Sequence, residues 1–138
     1  MKARSMKATR LLLATALLAG AAFAAHTAIA QPGGLRRTDL VHQDLGVADH
    51  ETIQARVDFP IGATAPAHRH PGEEIAHVLE GTLEYRIDDG APIVLQAGQS
   101  VFIPAGAKHS ARNVGTGAAS ELATYFLEKG KPLAVLAP

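Results

Sequence analysis

From Thr52 onward, apolar residues recur at every second position in short runs, and turn-forming residues interrupt the runs at close intervals. Ile53, Ala55, Val57 and Phe59 alternate with Thr52, Gln54, Arg56 and Asp58. That is the two-residue period of a half-buried strand, and Pro60 and Gly62 end it. Further strand-like runs follow over 75–79, 83–87, 93–95, 101–103, 109–113 and 122–127. The breaks between them are Glu80-Gly81-Thr82, Asp88-Asp89-Gly90, Ala97-Gly98, Pro104-Ala105-Gly106 and Gly115-Thr116-Gly117. No long amphipathic helix and no repeat at solenoid period is present. The pattern predicts an all-β domain, a sandwich or a closed antiparallel barrel.

The first thirty residues read as an export address. Lys2, Arg4, Lys7 and Arg10 precede an apolar run over 11–25 that only Thr15 interrupts, and small residues ending in Ala28-Ile29-Ala30 follow. This order of charged, apolar and A-x-A regions predicts a cleavable secretory signal peptide over 1–30, cut after Ala30. Ala22-Phe23-Ala24 is the alternative cleavage site. The run is shorter than the roughly 20 apolar residues of a membrane span. Arg36-Arg37 lies beyond the cut, so it is no twin-arginine signal. A periplasmic or secreted protein, free of the membrane after cleavage, is expected. The absence of cysteine rules out a disulfide scaffold and a thioether-linked lipid. Beyond residue 30, nine Lys and Arg face thirteen Asp and Glu, which argues against nucleic acid as a partner. Residues 31–51 show no sustained period and read as an N-terminal arm; 52–138 form the barrel with a C-terminal tail.

Two clusters carry the chemistry. The first is Gly62-x5-His68-x-His70-x3-Glu74-x6-Gly81. Residues i and i+2 of a strand share a face about 6.5–7 Å apart. Metal–nitrogen bonds of about 2.0–2.1 Å leave room for an ion between two such imidazoles. Pro71-Gly72 turns the chain so that Glu74 can return on the neighbouring strand as an oxygen ligand. The second is Gly98-x5-Pro104-x-Gly106-x2-His109-x3-Asn113, whose tight reversals bring His109 inward from another strand. Taken singly, His68-Arg69-His70 also reads as a polar surface loop and His109 as a turn residue. Together the spacing favours a metal site.

Both segments are similar, without a gap, to the two signature motifs of the cupin superfamily, with a sixteen-residue connector over 82–97 between them. The resemblance spans 52–127. It implies a six- to eight-stranded antiparallel jelly-roll barrel around one divalent transition metal ion, with His68, His70, Glu74 and His109 as ligands. One departure is Gln99, where an acidic residue commonly follows Gly98; it is a turn position. Four protein ligands leave two positions of a six-coordinate ion open to substrate or dioxygen. Iron, manganese, nickel, copper, cobalt and zinc all suit the donor set.

Strand parity sorts the neighbours. If Glu74 points inward, Ala76 and Val78 do too, while His77 and Glu73 face away. Leu83, Tyr85 and Ile87 form the apolar parity of the next strand, so Tyr85 projects into the barrel, as core filling or as a phenol bonded to a metal-bound ligand. Phe102, Tyr125 and Phe126 are expected in the core rather than the pocket, and Arg112 outside. Small inward residues such as Ala76 and Ala111 leave space. His42 and His50 take no role, and no general base is visible. Three readings follow: an oxygenase acting on a small chelating substrate, a non-redox isomerase, lyase or decarboxylase, and a non-catalytic metal or ligand binding module. A homodimer is the expected assembly.

Overall fold

The alternation becomes two antiparallel sheets in the computed structural model, which describes residues 28–30 and 32–137. The strands are β1 (Ala28–Ala30), β2 (Arg36–Asp44), β3 (His50–Phe59), β4 (Thr64–Arg69), β5 (Glu73–Glu80), β6 (Thr82–Ile87), β7 (Ile93–Gln96), β8 (Ser100–Ile103), β9 (His109–Asn113), β10 (Ala119–Glu128) and β11 (Val135–Leu136). One sheet has the order β1-β2-β3-β10-β5-β8 and the other β11-β4-β9-β6-β7. Strands β3–β10 supply the eight-stranded jelly roll that the motifs imply, and β1, β2 and β11 extend its edges. The expected leader over 1–30 and its cut fall mostly on residues 1–27 and Gln31, outside the described residues. Ala28–Ala30 pair with β2. Among the described residues, no helix is long and apolar enough to cross a membrane.

The inward parity of each strand makes the core. Val57 and Phe59 of β3, Ala76 and Val78 of β5, Leu83 and Tyr85 of β6, and Val101 and Ile103 of β8 pack as one buried cluster. The segment read as an arm contributes β2, which pairs along β3 with an irregularity between Asp39 and Val41. Its charged sequence hides a strand whose partner, rather than its own alternation, holds it extended. Leu35, just before β2, is buried in the main core.

Phe102 corrects the expected core. It is 58% exposed on β8, opposite Ile75 of β5. Val101 and Ile103 occupy the inward parity, and the two-residue period leaves Phe102 outside whatever its hydrophobicity. Phe126 is half-buried on the outward parity of β10, because Tyr125 and Leu127 take the inward one.

Two close approaches fix the chain around the site. A Cβ on Gly72 would stand 1.8 Å from the Phe126 carbonyl oxygen, so the turn between His70 and Glu74 lies hard against β10. Gly81 has φ of 75° between β5 and β6, and its Cβ would meet the Ala118 oxygen at 2.6 Å; glycine alone tolerates both conditions. Asn113, the last residue of the second motif, staples the β3–β4 connection to the β9–β10 connection. Its Nδ2 donates to the carbonyls of Phe59, Pro60 and Gly117, and its Oδ1 accepts from Gly115 N–H. Buried carbonyls lose these partners in Asn113→Ala, so a cost of about 2–4 kcal/mol is expected. Urea denaturation checks it; a cost under about 0.5 kcal/mol would show that the staple is dispensable.

Candidate metal centre

A bulge aims the first two histidines. In the β4–β9 pairing Ala65 faces Ala111 and His68 faces His109, so Pro66 and Ala67 together stand against Ser110. Strict alternation after the inward Ala65 would send His68 out; the extra residue reverses the parity. Pro66 has no N–H to leave unpaired there. His70, two residues beyond His68, then also turns inward. His109 opens β9, and Glu74 enters from β5 of the other sheet.

The three imidazoles meet. Their ring centroids are 4.8 Å (His68–His70), 4.2 Å (His68–His109) and 5.0 Å (His70–His109) apart. One ligand atom from each lies within 4.8 Å of the others. Glu74 Oε2 is 3.1 Å from His70 Nε2 and 3.2 Å from His109 Nε2. His70, Glu74 and His109 are buried, and His68 is half-buried.

Each imidazole is oriented from behind. Nδ1 of His68 lies 2.7 Å from the Pro66 carbonyl oxygen, that of His70 2.5 Å from Leu133, and that of His109 3.1 Å from Ala107. A carbonyl only accepts, so Nδ1 carries the proton and donates, and in the neutral ring Nε2 presents a lone pair. His70 Nε2 and Glu74 Oε2 are buried without a well-formed hydrogen bond. With the rings neutral, lone pairs and a carboxylate converge with no proton between them, an arrangement that a cation relieves. Donors about 2.1 Å from one ion and at right angles stand about 3 Å apart, as Glu74 does from two of the rings. The residues present fit a metal ion.

Electrostatics agree. Burial, opposed by the Pro66 hydrogen bond, lowers His68 to about 4, which leaves it neutral at pH 7. Burial alone would raise the Glu74 carboxyl, but a proton on Nε2 of His109 and of His70 outweighs it and holds the carboxyl at about 2; with the rings neutral, a bound cation takes that proton's place.

The centre lies in a cavity of about 280 Å³, at the small end of ligand pockets. Tyr85 and Ala111 line it as parity predicts; so do Val57, Phe59 and Ala65. Tyr125 departs from expectation by lining the cavity, its ring 4.8 Å from that of His70. His77 faces out, its Nδ1 2.8 Å from Ser100 Oγ, and His42 pairs with Glu51 at the surface. The tail closes the mouth. β11 pairs with β4 at His68 and Arg69, and Leu133, Ala134 and Leu136 line the cavity.

The residue that sequence reading missed is Glu121. It is buried in the cavity wall, and the Tyr85 hydroxyl donates a hydrogen bond to its Oε2. Its signal was parity. Glu121, Ala123, Tyr125 and Leu127 form the buried set of β10, but a strand begun at 122 leaves Glu121 as a polar flank. Burial, then the Glu74 charge, raises the carboxyl to about 8 against the Tyr85 hydrogen bond. A folded-state value above the unfolded one favours the protonated form, so this stabilisation is complete below about 4.5 and lost as pH rises through 8. His68, lowered from 6.5, acts in the opposite direction and only below 6.5. The metal-free protein is therefore expected to lose about 1–2 kcal/mol between pH 6.5 and 8. Glu121→Gln is expected to flatten that slope; an equal slope in the variant would contradict the assignment.

Comparison with known proteins agrees with the architecture. The family model described as Cupin domain matches residues 55–125, and the chain belongs to the cupin family. An oxalate oxidase of Triticum aestivum is 35% identical over 116 residues, covering 78% of this chain and 51% of that protein. An oxalate-binding protein of Thermotoga maritima is 31% identical over 98 residues, covering 69% of this chain and 80% of the other. A dimethylsulfoniopropionate lyase of Ruegeria pomeroyi is 39% identical over 56 residues, 41% of this chain and 28% of the lyase. The chain thus spans about half of the oxidase and less of the lyase. Among solved structures, an oxalate oxidase in complex with glycolate superposes with a TM-score of 0.64 at 27% identity, covering 86% of this chain and 66% of that one.

Proposed function

We propose that this cupin is an exported, mononuclear metal enzyme that oxidises or cleaves a small chelating substrate, with His68, His70, Glu74 and His109 as metal ligands. The carrying observation is a cluster of three imidazoles, each donating Nδ1–H to a backbone carbonyl, with Nε2 of His70 and of His109 beside the Glu74 carboxylate. A bound transition ion would supply Lewis acidity and, if redox-active, electron transfer to dioxygen. The chain's own part is proton handling and exclusion of water. Glu121, held near neutrality, exchanges a proton at its carboxyl. Burial, then the Glu121 charge and hydrogen bond, keeps the Tyr85 phenol above its ordinary range, so it serves as a neutral donor that orients Glu121. Likeness to an oxalate oxidase supports oxidation.

The second reading is non-redox proton-transfer chemistry, such as lyase or decarboxylase action. The buried Glu121–Tyr85 pair favours it, since a proton carrier is what that chemistry needs from the protein. Oxygen dependence separates the two. Metal-loaded protein screened against small hydroxy and keto acids in an oxygen electrode is expected to consume dioxygen with substrate. Turnover that continues without dioxygen would replace the first reading by the second.

A further inference from the structure

Arg37 is a cation that the metal centre does not explain. It stands on β2 opposite Val57, and its side chain, 15% exposed, lines the cavity that holds the histidines. One terminal nitrogen pairs with Asp39 Oδ1 at 2.7 Å, but Asp39 is half-exposed, and the buried Nε has no hydrogen-bond partner. The guanidinium carbon sits 5.7 Å from the centroid of the Tyr125 ring, whose other neighbour is His70 at 4.8 Å. Tyr125 therefore contacts both the guanidinium and an imidazole, and all three side chains line one cavity. A buried guanidinium donor without an acceptor is costly, and it is retained where an acceptor arrives.

We propose that Arg37 anchors a carboxylate at the far end of the substrate. This rests on the metal-enzyme reading above and narrows its substrate class to small acids with a chelating group at one end and a carboxylate at the other. A guanidinium fork matches a carboxylate in shape. Arg37 is the one Lys or Arg among the residues that line the cavity, and it matches a single carboxylate charge away from the metal ligands. Neutral diketones and catechols leave the Arg37 donor unpaired. The anchor is contributed by the strand before the motif-bearing barrel, so it sets specificity separately from the ligand set.

The test uses the full chain loaded with nickel(II) and calorimetric binding of 2-hydroxy acids that share a chelating head. Malate and 2-hydroxyglutarate carry a distal carboxylate; 2-hydroxybutyrate and 2-hydroxyvalerate do not. At least one of the diacids is expected to bind about tenfold tighter than its mono-acid counterpart. Arg37→Met is expected to erase that preference while nickel content and mono-acid binding stay unchanged. Arg37→Lys, which keeps the charge but not the fork, is expected to retain part of it. No preference in the wild type, or a preference that survives Arg37→Met, would overturn the anchor and leave the metal centre standing. Failure to hold nickel at all would instead remove the metal-enzyme reading on which it rests.

Discussion

A chain carrying His68→Ala and His109→Ala together is expected to lose its metal while keeping its β-rich fold. The two residues face each other across β4 and β9, and their removal leaves His70 and Glu74 alone to bind an ion. Altering groups that merely orient ligands costs about 10–100-fold in affinity, so loss of two ligands is expected to exceed a hundredfold. The fold is expected to persist because His68 is half-buried at the cavity mouth and His109 borders open cavity rather than close packing. The protein loses no apolar core residue. Equilibrium dialysis and far-ultraviolet circular dichroism read the two expectations separately. Unchanged metal content would reject both histidines as ligands, and an unfolded spectrum would show that their role is structural.

Glu121→Gln is expected to have the opposite profile, with metal retained and turnover lost. Glutamine keeps the volume and can still accept from the Tyr85 hydroxyl, but it cannot exchange a proton. General acid–base catalysis contributes about 10²–10⁴-fold, so the rate constant is expected to fall by that factor once a substrate is in hand, with metal stoichiometry unchanged. The variant is also expected to be more stable than the wild type at pH 8, because it no longer carries a carboxyl that burial holds protonated. Lower stability at that pH, or full activity, would remove Glu121 from the chemistry.

Much of this site was legible in the sequence because strand periodicity decides which way a side chain points. Glu74, Ala76 and Val78 alternate inward along β5 as parity requires, and His77 turns out. Parity reached Tyr85 in the same way. It failed where another consideration was allowed to override it. Phe102 reads as core because it sits in a strand, although its neighbours Val101 and Ile103 occupy the inward positions. Glu121 was missed because a charged residue at a strand's start looks like a flank.

Other features depend on pairing, which local sequence does not encode. The bulge at Pro66 and Ala67 that turns His68 inward exists only against Ser110 of β9. β2 is held by β3, and β11 by β4. The Leu133 carbonyl that orients His70 is sixty-three positions away in sequence. In the sequence Arg37 is only half of a dipeptide beyond the expected cut; the β2–β3 register is what brings it to the cavity.

The most direct measurement is elemental analysis of the wild-type protein, produced from the full sequence and purified without chelator or affinity metal. About one transition metal ion per chain, absent from the His68→Ala/His109→Ala variant, is the expected result. A wild-type protein that holds no metal and takes none up on addition would contradict the assignment of His68, His70, Glu74 and His109 as a metal centre.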